Sequence, residues 1–223
     1  MGNRPYKIYC AGPLFNPKER EEMQEIATFL EKGGYKVFLP HRDGLEFSLL
    51  FPSLLEKGVE SQRAKEILNK AIFSLDVFQI SDSDGLILNL NGRVPDEGAM
   101  VEAGIAWACN KVIVTFRCDS RSLIEGICNP MILGLSDFSF VTKYEDVPQA
   151  FDAKFSKADG NLSLPRPPYL VATANNGKEI SEFLTSRKSG GDIIDLLINL
   201  FRERTCQISK GPKRSYSPAG MPQ

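Results

Sequence analysis

Pro95-Asp96-Glu97-Gly98-Ala99-Met100-Val101-Glu102-Ala103-Gly104-Ile105-Ala106-Trp107-Ala108 is where this chain concentrates residue types that can do chemistry. It reads as a loop carrying a carboxylate, a glycine, and then a helix of small and apolar residues. Glu102 is the sole ionisable residue from Ala99 to Cys109, and its neighbours at helical spacing are Gly98, Ala99, Ile105 and Ala106. A helix that is apolar nearly all round is a buried helix, and a glutamate inside one is paired, protonated or in use. The bland alternative is a glutamate at the solvent edge of a core helix, or one paired with an arginine elsewhere. Asp96, six residues earlier, stands at the helix mouth, where its side chain can cap the helix. Two carboxylates around one helix start are also what sugar-transfer chemistry wants. The motif alone leaves the choice open.

The elements that must position these groups follow from the pattern on either side. Lys7-Ile8-Tyr9-Cys10-Ala11 is a short strand ended by Gly12-Pro13. Asn16-Pro17 starts a helix, with asparagine as N-cap and proline at the first helical position, and Gly33-Gly34 stops it. Tyr35 to Leu39 is the second strand, and this β-α-β opening predicts a parallel sheet. Pro40-His41-Arg42-Asp43-Gly44 follows at that strand's carboxyl end. Leu45 to Ser61 reads as a covering loop with a short helix, and Gln62 to Gln79 as a helix with Asp76 on its last turn. Leu86 to Leu90 and Lys111 to Phe116 are the third and fourth strands, the latter nearly all apolar as a buried parallel strand should be. Ser139 to Val141 reads as a fifth strand, and Val147 to Phe155 as a closing helix.

Strands alternating with helices specify a doubly wound, flavodoxin-like α/β sandwich with a roughly five-stranded parallel sheet, in which ligands sit at the carboxyl ends of the strands. Residues 1–157 form this domain. Residues 158–223 are an extension: a linker (Ala158 to Asn161 and Pro165 to Pro168), a polar stretch, one amphipathic helix from Asp192 to Arg204, and a disordered tail from Gly211. That helix carries too few lysines for a membrane surface, so it is expected to pack on the core or on a second subunit.

Composition narrows the classes further. With 42% hydrophobic residues in 223, a packed core is affordable, and no apolar run approaches membrane-spanning length. Against 28 acidic residues stand 27 basic ones, so no net charge pulls the chain toward nucleic acid or an anionic membrane. The five cysteines (Cys10, Cys109, Cys118, Cys128, Cys206) show no CxxC spacing, which suits a reduced, cytoplasmic protein. His41 is the single histidine, so no histidine-based metal cluster exists and no metal or other cofactor is implied.

Four blocks together resemble the nucleoside 2-deoxyribosyltransferase family: Lys7 to Phe15, Asp76 placed twenty-six residues before Glu102, Pro95-Asp96-x-Gly-x-x-x-Glu102-x-Gly, and Asn129-Pro130-Met131. They cover roughly residues 7 to 155. The resemblance implies that Glu102 is a nucleophile trapping the sugar as an ester, oriented by the Tyr9 hydroxyl, and that Asp76 is the general acid and base for the departing and incoming nucleobases. Asp96 would hold a sugar hydroxyl, and Asn129 would arrive from a neighbouring subunit of a homo-oligomer. Gly12 and Gly98 would let backbone approach the ligand, and Phe15 would wall the pocket. Asp43 carries over loosely, from the region that contacts the base. Read without the family, Tyr9 is an ordinary strand aromatic, Asp76 a surface aspartate, Phe15 a core residue and Asn129 a turn former. The implied partners are a nucleoside and a free nucleobase.

Two rivals stand beside this reading. A relative that hydrolyses deoxynucleoside 5-monophosphates carries a serine where this chain has Asp96, and an aspartate repels a phosphate; Arg93, Arg117 and Arg121 are the residues that could bind one. Water could also replace the acceptor base, giving a nucleoside hydrolase. The other rival is a non-catalytic nucleotide-sensing module, which would not need Tyr9, Asp76 and Glu102 together.

Overall fold

The computed structural model describes residues 5–92, 96–118, 129–157, 168–186 and 192–202. Strands β1 (Lys7–Ala11), β2 (Lys36–Phe38), β3 (Gly85–Asn89) and β4 (Val112–Phe116) form one parallel sheet in the order β2-β1-β3-β4. The fifth strand does not form among the described residues. At Ser139 to Val141 a single parallel bridge joins Val141 to Phe116, because Asp137 and Phe138 turn the chain through left-handed backbone (φ 58° and 57°) just before it.

Alternation along the strands divides the core. Ile8, Cys10, Ile87 and Val114 face helices α1 (Pro17–Lys32) and α7 (Val147–Phe155), where they bury Met23, Leu30 and Phe151. Tyr9, Ala11, Leu86 and Leu88 face α4 (Ser61–Asp82) and α5 (Glu97–Ala108) on the other side. The short α2 (Pro40–Asp43) and α3 (Phe47–Glu56) connect β2 to α4, and α6 (Pro130–Gly134) follows β4. Helix α1 starts as its sequence specifies: Asn16 Oδ1 accepts the Glu19 N–H at 3.0 Å, and Glu19 returns a bond to the Asn16 N–H.

Further expectations need correction. The short helix expected within Leu45 to Ser61 is the ten-residue α3, which runs through Pro52 and takes up most of the stretch, leaving less loop than expected. Helix α4 continues past Gln79 to Asp82, where the Ser83 N–H bonds the Gln79 carbonyl, so Asp76 is not on the last turn and the helix end is not its electrostatic setting. Helix α5 is apolar all round but not buried all round: Ala99, Ala103 and Ala106 face the core while Val101 and Trp107 are exposed. The polar stretch after Pro168 is a nineteen-residue helix, α8 (Pro168–Ser186), so the described residues of the extension hold two helices where one is expected.

The last helix, α9, is Ile193–Leu200 rather than Asp192 to Arg204, with Asp192 as N-cap, and it packs on the same core as Tyr9 through Ile194 and Leu197. Cys10, Cys109 and Cys118 are free thiols. Cys128, Cys206, Arg93, Arg121, most of the linker and the tail from Gly211 lie outside the described residues. No helix among the described residues is long and apolar enough to cross a membrane.

Candidate active site

Tyr9 is the centre of the site. It pairs in register with Phe38 of β2 and Leu86 of β3, its ring stacks on Phe38 at 5.6 Å between centroids, and it is completely buried. A buried phenol needs a partner for its hydroxyl. It donates to Glu102 Oε1 at 2.7 Å, the length of a charge-assisted bond. Burial first, and the negative charge of Glu102 and Asp76 second, push the Tyr9 pKa well above its ordinary value, so it stays a neutral donor.

Glu102 projects from the second turn of α5, and Asp76 from the middle of α4. Between these helices lies a cavity of about 340 Å³ with both carboxyls in its wall, set among Ile72, Phe73, Val101 and Ile105. Burial raises the Asp76 pKa to about 7, against the pull of the Tyr9 hydroxyl. Burial also raises Glu102, to about 8; the Asp76 charge adds to that, the Tyr9 bond opposes it, and the Asp96 charge adds a last contribution. Two carboxyls this close titrate as a pair. Near neutral pH the pair holds a proton, which the two carboxyls share. A held carboxylate and a protonated carboxyl on one apolar cavity are the parts needed to attack a sugar carbon while protonating its leaving group.

The other sequence-derived residues divide. Asp96 is the N-cap of α5, accepting the Ala99 N–H at 2.6 Å; it does not line the cavity, and its charge acts on Glu102 from the helix mouth. Gly98 lines the same cavity, and a Cβ there would meet nothing closer than Asp96 Oδ1 at 3.2 Å. Gly12 is glycine for a packing reason: a Cβ would lie 2.6 Å from Met23 Sδ and 2.9 Å from Asn89 Cβ. Phe15 is not a core residue, being 81% exposed. Asn129 caps α6 by accepting the Met131 N–H at 2.9 Å; it is exposed, and it does not line the Glu102 cavity of its own chain.

Asp43 is not brought to Asp76 and Glu102. Its carboxylate accepts the Leu39 N–H at 2.8 Å and pairs with Arg42, which closes the turn after β2. It lines a different cavity of about 540 Å³, along the open edge of β2. His41 belongs to a third hollow, against α1, where burial and then Arg20 lower its pKa. Among the described residues no three His, Cys, Asp or Glu side chains gather as a metal site.

Of the cavity walls from α4, the sequence reading includes Asp76 and the apolar Ile72 but not Phe73 or Ile80. Ile72, Phe73, Asp76 and Ile80 recur at helical spacing, and an aspartate inside such a stripe was the available signal. Phe38, the stacking partner of Tyr9, was visible only once β2 was placed in register with β1.

Solved structures similar to this chain include a 2-deoxyribosyltransferase from Bacillus psychrosaccharolyticus (23% identity, TM-score 0.45, covering 64% of this chain and 90% of that one). Others are a 2-deoxyribosyltransferase from Leishmania mexicana (22%, TM-score 0.40, 69% and 96%) and a CMP N-glycosidase from Clostridium botulinum (19%, TM-score 0.38, 66% and 98%). Among curated proteins nothing matches. The family model described as nucleoside 2-deoxyribosyltransferase matches residues 8–162, a span that contains Tyr9, Asp76, Asp96, Glu102 and Asn129. With most of the chain matched and the site inside the match, this protein belongs to the nucleoside 2-deoxyribosyltransferase family, whose enzymes act on N-glycosidic bonds.

Proposed function

We propose that this chain transfers 2-deoxyribose between nucleobases through a covalent ester on Glu102. The observation that carries the reading is the Tyr9 hydroxyl on Glu102 Oε1 at 2.7 Å, with Asp76 in the wall of the same cavity. In the first half-reaction the bond from the sugar's anomeric carbon to the base nitrogen breaks, and a bond from that carbon to a Glu102 oxygen forms. The proton of Asp76 goes to the leaving base. The acceptor base then attacks the ester, Asp76 takes its proton back, and Glu102 leaves as the carboxylate. A sugar without a 2-hydroxyl reaches its cationic transition state easily, so one oriented carboxylate is enough. Asp96 holds the 5-hydroxyl, and its charge disfavours a 5-phosphate there.

A second copy completes the site in this reading. Phe73, Val101 and Trp107 expose apolar surface around the cavity, and Met131 is 81% exposed beside Asn129. The Asn129 oxygen is used by its own helix, which leaves its amide N–H groups to reach a neighbour's sugar. Residues 1–157 are the catalytic domain, and residues 158–223 an addition to it.

Incubation with deoxyinosine, with and without adenine, tests the reading against a Glu102→Ala control. Deoxyadenosine should form only with adenine present and only with Glu102. Hypoxanthine release that adenine does not redirect would replace the transferase with a hydrolase; a preference for deoxyinosine monophosphate would move the substrate class. No turnover of either would overturn the enzyme reading and leave a sensing module.

A further inference from the structure

Helices α8 and α9 lie beyond the family match, which ends at residue 162, yet they are built into the core that holds Tyr9. Helix α8 runs along α4 with Ala174, Gly177, Ile180 and Ser181 buried, while its charged residues Lys178, Glu179 and Glu182 are exposed. Two features fix its seat. A Cβ on Gly177 would be driven into the Ser74 carbonyl oxygen and would lie 2.6 Å from Phe78 Cβ, so the α8 backbone rests directly on α4. A side-chain interface can absorb a shift by changing rotamers, whereas backbone resting on backbone cannot.

The second feature is Gln79. Its Nε2 donates to Ser181 Oγ at 2.8 Å, and its Oε1 accepts from Lys7 Nζ at 2.6 Å. Both ends of the amide are used, so Ser181 of α8 is linked through α4 to Lys7, the first residue of β1 and two before Tyr9. Ser74 and Asp76 are two residues apart on α4, about 200° round the helix, so α8 presses the back of α4 while Asp76 faces the cavity. Helix α9 extends the grip: Lys57, capping α3, pairs with Asp192 at 2.8 Å and Asp195 at 3.2 Å, and the Arg63 guanidinium of α4 donates to the Phe201 carbonyl.

We infer that the α8–α9 pair is a positioning clamp for the acid of the reaction: Gly177, Ser181 and Gln79 set the seat of α4, and with it the placement of Asp76 against Tyr9 and Glu102. The inference rests on the deoxyribosyl-transfer reading for its kinetic consequence, but the seat itself is readable without turnover. The clamp acts through packing rather than charge. The titratable groups facing Asp76 are Tyr9 from β1 and Glu102 from α5; the charges of α8 are on its solvent side, and those of α9 are paired with Lys57.

The test compares full-length Gly177→Ala and Ser181→Ala with the natural chain, at a temperature well below each thermal midpoint. One readout is kcat and KM for deoxyribosyl transfer; the other is the titration of the Asp76 carboxyl carbon by NMR. Gly177→Ala should lower kcat about 10-fold with KM within about twofold, and should move the Asp76 midpoint down from about 7 toward the ordinary carboxylate range. Ser181→Ala should shift both in the same direction by less. A lower thermal midpoint with unchanged kcat and unchanged Asp76 titration would overturn the clamp and leave α8 a merely stabilising element. If Gly177→Ala does not fold, Ser181→Ala decides by the same readouts. If the natural chain turns over no nucleoside, the functional reading fails, and the Asp76 titration still judges the clamp.

Discussion

Each face of the sheet sets a half-buried glutamate under a tyrosine hydroxyl, and the two are put to different use. On the α1 face, Glu22 Oε1 accepts from Tyr144 at 3.0 Å and from Asn91 Nδ2 at 2.5 Å, and its Oε2 accepts from Asn89 Nδ2 at 2.9 Å. Asn91 in turn accepts the Cys118 N–H at 2.9 Å, which ties the ends of β3 and β4 to α1. On the α5 face, Glu102 receives one hydrogen bond among the described residues, from Tyr9, and its other oxygen is left beside a cavity that it shares with Asp76. A carboxylate with three donors on its two oxygens is a structural knot. One with a single donor, a neighbouring carboxyl and open space is available for reaction. Satisfied valence, more than burial, separates them.

Paired substitutions give the sharpest way to break this comparison. Glu102→Gln should lower deoxyribosyl transfer by about 10³-fold or more, since an amide cannot form the ester, while its unfolding midpoint in denaturant stays at or above that of the natural chain. Glu22→Gln should do the reverse. Its new amide would point N–H groups at Asn89 and Asn91, costing about 1–3 kcal/mol of stability, with kcat little changed. Equal loss of activity in both variants would show that the two glutamates do not differ as described.

The tyrosines repeat the contrast at lower amplitude. Tyr9→Phe removes the hydroxyl that orients Glu102, and should lower kcat by about 10- to 100-fold. Tyr144→Phe keeps the ring on Phe116, where the centroids are 4.7 Å apart, and should cost about 1 kcal/mol in a melting experiment with transfer within about twofold. A Tyr144→Phe variant as slow as Tyr9→Phe would mean that the α1 face also shapes the reacting geometry.

Legibility in the sequence follows the same division. Glu102 could be read because one ionisable residue in an apolar run is conspicuous, and Asp96 because an acid before a helix is a cap. Asp76 stands out only through the family resemblance, and its expected place at a helix end fails because nothing from Ile80 to Asp82 breaks a helix. Helix α8 escaped notice because most of its buried face (Ala174, Gly177, Ser181) is small, so it lacks the large apolar stripe that announces a helix. Asp43 illustrates the opposite error. A carboxylate at a strand's carboxyl end resembles a ligand contact, but its lone pairs are spent on Leu39 and Arg42. Hydrogen-bond valence is a three-dimensional property, and sequence pattern reports it only where the partner is local.

The smallest effect separates the two faces by sign. Folding raises the Asp76 pKa from 3.8 to about 7, so between those values the native chain holds a proton that the unfolded chain has released. Stability from this group is therefore present at pH 4 and lost as pH rises through 7. Asp76→Asn cannot ionise, so it should be more stable than the natural chain at pH 9 by about 1 kcal/mol or more, with no such gain at pH 4. Glu22→Gln should be less stable than the natural chain at pH 9, because its amide would turn N–H groups toward the three donors that the carboxylate accepts. Denaturant midpoints at the two pH values measure both. If Asp76→Asn is destabilised at pH 9 as Glu22→Gln is, then Asp76 is held as a satisfied carboxylate, and an acid that could protonate a leaving base is not waiting in this cavity.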